Sequence, residues 1–186
     1  MKHASIKLIL FVIAGFGMTP TRSEVNMNVS LGVFPSVSFE NLEGKTFDLP
    51  QDFKGELNLV LIAFQREQQS DIETWFAVGD SLEKEFENFA FYEIPTISKL
   101  NPLSRWFINT GMRAGINDEA TRKRTITLYV DKESFKNSLN IVNEDSIHPM
   151  LVTPDGDVLW RTQGIMSADS KQDLLQFVEH FFQEDE

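Results

Sequence analysis

Residues Leu57 to Phe64, LNLVLIAF, form an almost wholly apolar run that passes without a break into QREQQSDIETW. A run this short and rich in branched aliphatic residues reads as a strand covered on both faces, which demands a layer of structure on each side of its sheet. The polar segment after it reads as the start of a helix. Ser70 is placed to cap it, Asp71 and Glu73 fall in its first turn, where unpaired N–H groups favour acids, and Ile72, Trp75, Phe76, Leu82 and Phe86 make one apolar stripe. A buried strand that delivers a loop and a helix N-terminus is a common mount for a reactive group. The junction here holds Gln65, Arg66, Gln68, Gln69 and Ser70, and the chain contains no cysteine.

Around this centre the other segments fall into order. Val33 to Leu49 alternates about Val37, Phe39, Phe47 and Leu49 with a turn at Asn41–Gly44, the pattern of a β-hairpin. Phe89 to Ile94 is a second strand, which Pro95 is expected to end, and strand, helix, strand make a right-handed crossover with a parallel pair. Asn101 to Thr110 is helical, with Gly111 and Gly115 bracketing a turn. Thr125 to Asp131 reads as a third strand, followed by a short helix around Phe135–Leu139. Ile147 to Trp160 forms a hairpin about Pro154-Asp155-Gly156-Asp157, and a closing helix from Asp169 to Phe182 turns Leu174, Leu175, Val178, Phe181 and Phe182 inward.

Residues 1–23 differ from the rest. Lys2 and Lys7 precede an apolar run from Leu8 to Phe16, and Thr21 and Ser23 stand at the −3 and −1 positions before Glu24, the layout of a secretory signal peptide. The run is too short to cross a bilayer core that needs ~20 residues, so no integral span is expected after cleavage. Residues 24–32 read as a flexible linker and 33–186 as one domain. Three of the 17 basic residues and none of the 28 acidic ones lie in the leader, which leaves the cleaved chain at −14. Such a charge repels nucleic acid and anionic membranes. Without cysteine there is neither a disulfide framework nor a lipid-bearing thiol, so packing carries the stability.

The order of elements resembles a redoxin, a peroxiredoxin-like member of the thioredoxin-like superfamily. FENLEGKTFDLPQDFKGELNLVLIAF is similar to the opening hairpin and central strand of that family, TITLYVDKESF to its strand ending in Asp, and MLVTPDGDVLWRTQG to its closing hairpin. The resemblance implies an α/β fold with a central mixed sheet flanked by helices and an N-terminal β-hairpin. It also implies a thiol at the start of the first helix, often a second three residues later, and a cis-proline before the penultimate strand. These places fall near Gln69, Ile72 and Ile147, with Pro149 displaced by two, so thiol peroxidase and disulfide reductase activities are not carried over. More narrowly, FQREQQSDIETW, FYEIPTIS, RWFINTGMRAGI and RTITLYVD are similar to thioredoxin-like proteins related to the mitochondrial ATP-synthase assembly factor, which implies an assembly or chaperone-like role.

Three groups of residues are candidate binding sites. From Pro95 the chain has no acid until Asp118, but carries Lys99, Arg105, Arg113, Arg122, Lys123 and Arg124. Guanidinium groups near loop and strand ends can hold a carboxylate or phosphate, or pair with the many acids of their own chain. Trp106 and Phe107 add a stacking face or, as is commoner at helical spacing, core. Gln65, Arg66, Gln68 and Gln69 occupy the thiol loop, where amides bind a ligand or a partner's backbone, or have no role left. His148 lies on a predicted strand beside Pro149, facing the old groove or, as is commoner for a lone histidine, structural or exposed. It and His180 have no metal-ligand spacing, and no glycine-rich phosphate loop or G-x-S-x-G is present, so no metal, cofactor or catalytic residue is expected. The sequence therefore points to an exported, non-enzymatic protein, periplasmic or secreted, that binds a protein partner. The alternative is a small-anion binder or cysteine-independent enzyme using the basic 99–124 region.

Overall fold

Every residue of the strand Leu57–Ala63 (β3) is buried, and the cause is its place at the centre of a five-stranded sheet. The computed structural model describes residues 30–183. Phe89–Ser98 (β4) lies parallel to β3 on one side, and His148–Val152 (β6) lies antiparallel on the other. Leu128–Val130 (β5) and Val158–Arg161 (β7) form the edges, in the order β5-β4-β3-β6-β7. The sheet is therefore mixed. A separate two-stranded sheet, Val37–Glu40 (β1) against Thr46–Leu49 (β2), is the expected hairpin.

Alternation along β3 splits the core in two. Leu57, Leu59 and Leu61 face a layer built by Gln69–Glu73 (α1), Phe76–Glu85 (α2) and Ala168–Gln183 (α6), through Ile72, Trp75, Leu82, Leu174 and Val178. Val60 and Ile62 face Phe34, Phe47, Leu49 and Phe53 from the hairpin side, together with Phe135 of Lys132–Ser138 (α5). Asn58 is on that second face and fully buried. Its carboxamide accepts from Gly55 N at 2.9 Å and donates to Gly55 O at 2.7 Å and Val152 O at 3.1 Å. The turn it closes needs glycine, because a Cβ on Gly55 would come within 2.6 Å of Leu57 O.

Several boundaries differ from expectation for identifiable reasons. β4 runs through Pro95, which is the last residue paired with β3 and precedes the first paired with β5, so its missing N–H interrupts neither run. Ser70 is inside α1 and caps nothing: a 3₁₀ turn at Arg66–Gln68 has already started the helix, which breaks at Thr74–Trp75 before α2. Gly111 and Gly115 lie within one helix, Pro102–Gly115 (α3), capped by Asn101 Oδ1 accepting from Ser104 N. A helix absent from the sequence reading, Glu119–Arg124 (α4), starts at Asp118, whose carboxylate accepts from Thr121 N. It draws Thr125 back through Thr125 N to Thr121 O, and so shortens the expected strand to β5.

The expected signal peptide lies outside the described residues. At the end of the expected linker, Leu31 N donates to Val158 O at 2.7 Å and Val158 N to Gly32 O at 3.0 Å. Among the described residues no helix is long and apolar enough to cross a membrane.

Replacing Asn58 with Ala takes this partner from Gly55 N, Gly55 O and Val152 O. The expected outcome is a loss of about 2–4 kcal/mol, from buried backbone groups left without their hydrogen bond, measured by urea denaturation against the parent protein.

Candidate functional site

The end of β3 is fastened by one side chain. Gln68, 5% exposed, accepts from Phe64 N at 2.9 Å and Gln65 N at 3.2 Å through Oε1, and its Nε2 donates to Glu144 O at 2.7 Å. Gln65 Nε2 reaches the same carbonyl at 3.0 Å. Glu144 is held in turn by ion pairs from Lys132 and Lys136 of α5. Two of the four candidate residues of the thiol loop are thus tied to the backbone at Glu144, and two, Arg66 and Gln69, are exposed at the rim of a cleft.

That cleft, about 650 Å³, opens between the junction and α3. Its apolar wall comes from Phe64, Ile97, Phe107, Ile108, Met112 and Ile116, and its polar end from Arg66, Gln69, Glu73 and Glu93. Glu93 is the residue that the sequence reading missed. It stands on β4 opposite Leu61, 1% exposed. Thr125 Oγ1 is 3.3 Å from its Oε2 but 2.7 Å from Thr121 O, and the single hydroxyl proton favours the nearer carbonyl. Burial pushes the Glu93 carboxyl above its ordinary value, against the hydrogen bonds of Thr125 and Gln69. The signal was visible as the one charged residue in FAFYEI.

The basic candidates do not converge on this cleft. Arg113 and Arg122 both bind Glu43 in the hairpin turn, at 2.9 and 2.5 Å, and the Arg122 hydrogen bond holds that carboxyl below its ordinary value. Arg124 lies over the ring of Phe91 at 4.0 Å and binds Asp80 of α2 at 2.9 Å. Arg105 donates to Leu100 O and lies over Tyr129 at 5.3 Å. Arg105, Trp106 and Arg113 line a different cleft, about 520 Å³, between the other side of α3 and the hairpin. Trp106 and Phe107, whose commoner fate is core, are 62% and 73% exposed, because α3 buries none of its residues.

His148 is 3% exposed, packed edge-on to Phe64 with ring centroids 6.0 Å apart, and its Nε2 lies 3.1 Å from Asn143 O. Burial lowers its pKa. It lines neither cleft. Among the described residues the only cis peptide is Leu49–Pro50, so Pro149 is not the family's cis-proline, and no three His, Asp or Glu residues are placed to hold a metal ion.

No family model matches the sequence, and no curated protein does. Solved structures do. BsSco, a member of the Sco family of cytochrome c oxidase assembly proteins, is similar at 20% identity and a TM-score of 0.56, covering 82% of this chain and 95% of that one. The thioredoxin domain of a thiol-disulfide oxidoreductase from Bacteroides vulgatus is 20% identical, with a TM-score of 0.51, covering 81% and 98%. The pneumococcal exposed lipoprotein thioredoxin from Streptococcus pneumoniae is 14% identical, with a TM-score of 0.53, covering 78% and 99%. At these identities the likeness establishes the fold, which is thioredoxin-like.

Gln68→Ala leaves Phe64 N, Gln65 N and Glu144 O without that partner, and a loss of about 2–3 kcal/mol is expected in urea unfolding. His148 supplies a pH test. Its folded-state pKa lies below the ordinary 6.5, so below that pH the unfolded chain takes up a proton that the folded chain refuses. The stability concerned is present above pH 6.5 and declines as the pH falls toward the folded value. Melting temperatures of the parent protein should fall over this window, and those of His148→Gln should fall less.

Proposed function

We propose that the chain is an exported thioredoxin-like protein without thiol chemistry, which binds a protein partner and helps a complex assemble. The observation that carries this reading is α3. It is a 14-residue helix with no buried residue, and Leu103, Trp106 and Phe107, at i, i+3 and i+4, are 74%, 62% and 73% exposed. A contiguous apolar stripe left open on an acidic protein is the mark of an interaction surface. Its area, roughly 400 Å² at ~150–250 Å² for each aromatic, is about half of the ~800 Å² per partner that a stable complex buries, which suits a transient contact. The absence of cysteine supports the non-thiol part, and the leader supports export. Small-anion binding by Arg113, Arg122 and Arg124 would compete with the ion pairs that these residues make with Glu43 and Asp80.

The test is a photo-crosslinking residue, p-benzoylphenylalanine, placed at Trp106 or, as a control, at Val142, which is 90% exposed outside both clefts. In intact cells a discrete adduct is expected at 106 and not at 142, and it should disappear when Leu103→Asp and Phe107→Asp are added. No adduct at 106, or the same adduct at both positions, overturns the reading.

A further inference from the structure

The cleft between α3 and the β3–α1 junction has a floor that the partner-binding reading does not explain. An apolar wall of Phe64, Ile97, Phe107, Ile108 and Met112 runs in to Glu93, a carboxyl sealed from water inside a sheet. Buried carboxyls are ordinarily paired or fully hydrogen-bonded. Glu93 has a shared hydroxyl proton at 3.3 Å and the amide of Gln69, an exposed residue at the mouth of the cleft. Among the described residues neither nearby guanidinium is ion-paired with it. Arg124, on α4, acts on the carboxyl from a distance but is paired with Asp80, and Arg66, at the cleft rim, is exposed. Glu73 of α1 adds a second carboxyl to the same end, against the single guanidinium of Arg66. The whole chain carries −11, which raises the concentration of cations at such a mouth.

We propose that this cleft receives an ammonium or guanidinium head on an aliphatic stem, contributed by a lysine or arginine of the bound partner, with the head on Glu93 and Glu73 and the stem along Ile97, Phe107, Ile108 and Met112. The inference rests on the partner-binding reading and specifies what the partner presents. Its physical basis is reciprocal. A cation at the floor supplies the direct ion pair that Glu93 lacks, and the apolar wall covers methylenes that water would otherwise surround. An anionic head would meet two carboxyls, and a purely apolar guest would leave Glu93 as it was.

The experiment uses n-hexylammonium as the probe, with hexanol and hexanoate as controls at matched ionic strength, and reads the melting temperature of the protein. A saturable rise is expected with hexylammonium alone. It should be larger at pH 8 than at pH 5, because burial raises the Glu93 carboxyl and only its ionised form binds the head. The rise should vanish in Glu93→Gln, with far-ultraviolet circular dichroism confirming that the variant is folded, and shrink in Glu73→Gln. No saturable rise, an equal rise with hexanol, or a rise that survives Glu93→Gln overturns the proposal.

Hexylammonium is then added to the position-106 crosslinking reaction in cell lysate. Loss of the adduct identifies the partner as the source of the head group, whereas an adduct that persists beside saturable binding overturns that source in favour of a free amine. The thermal assay needs no partner, so its failure leaves the crosslinking result standing, and the reverse also holds.

Discussion

A strand that loses all contact with water has to be covered twice, and β3 sets that requirement for the rest of the molecule. Its odd positions call for α1, α2 and α6, and its even positions call for the hairpin side and α5. At roughly 1.5–3 kcal/mol for each large side chain buried, the six apolar residues of β3 with their partners outweigh any single polar contact described above. The polar residue within it, Asn58, is tolerated because its amide joins the loop before the strand to β6 behind it. With one strand so constrained, the order of its neighbours follows, and so does the position of the junction at its end.

The junction shows what happens to a thioredoxin-like fold when the reactive group is absent. In place of a thiol there is a set of amides, and the structure divides their roles. Gln68 turns inward and ties β3 to the loop at Glu144, while Gln69 turns outward over Glu93. The helix N-terminus that would favour a thiolate instead starts from a 3₁₀ turn braced by a side chain. The cleft beside it persists, and so does a buried acid at its floor.

Most of the architecture is legible in the sequence, because it is written in periods of two and in runs. The hairpins, β3 and the inward face of α6 follow from alternation and from turn residues. Errors cluster between residues 95 and 127, and each has a physical source. Glycine lowers helix propensity by about 1 kcal/mol, which suggests a break at Gly111, yet a helix capped at Asn101 with Pro102 in its first turn runs through it to Gly115. Helix α4, EATRKR, has no apolar period to betray it and is fixed by its cap at Asp118 and by Thr125 folding back. The exposure of Trp106 and Phe107 is illegible in principle, since periodicity reveals that a helix has a face but not whether anything covers it. The arginines were legible as a group, while their separate acids, Glu43 and Asp80, lie far away in the chain.

Ile72 lies where the resemblance puts the second thiol, and it has no exposed surface at all, packed in one cluster with Trp75 and Leu61. A thiol therefore cannot be installed at this position by substitution alone. A cysteine that arose at position 72 would arrive inside a sealed core, out of reach of any disulfide, and would cost the packing of an isoleucine. One at Gln69 would lack a resolving neighbour. A pair of thiols at these two positions would need the core around Ile72 to be repacked as well as a change at Gln69, so the packing that holds β3 also fixes what its junction can carry.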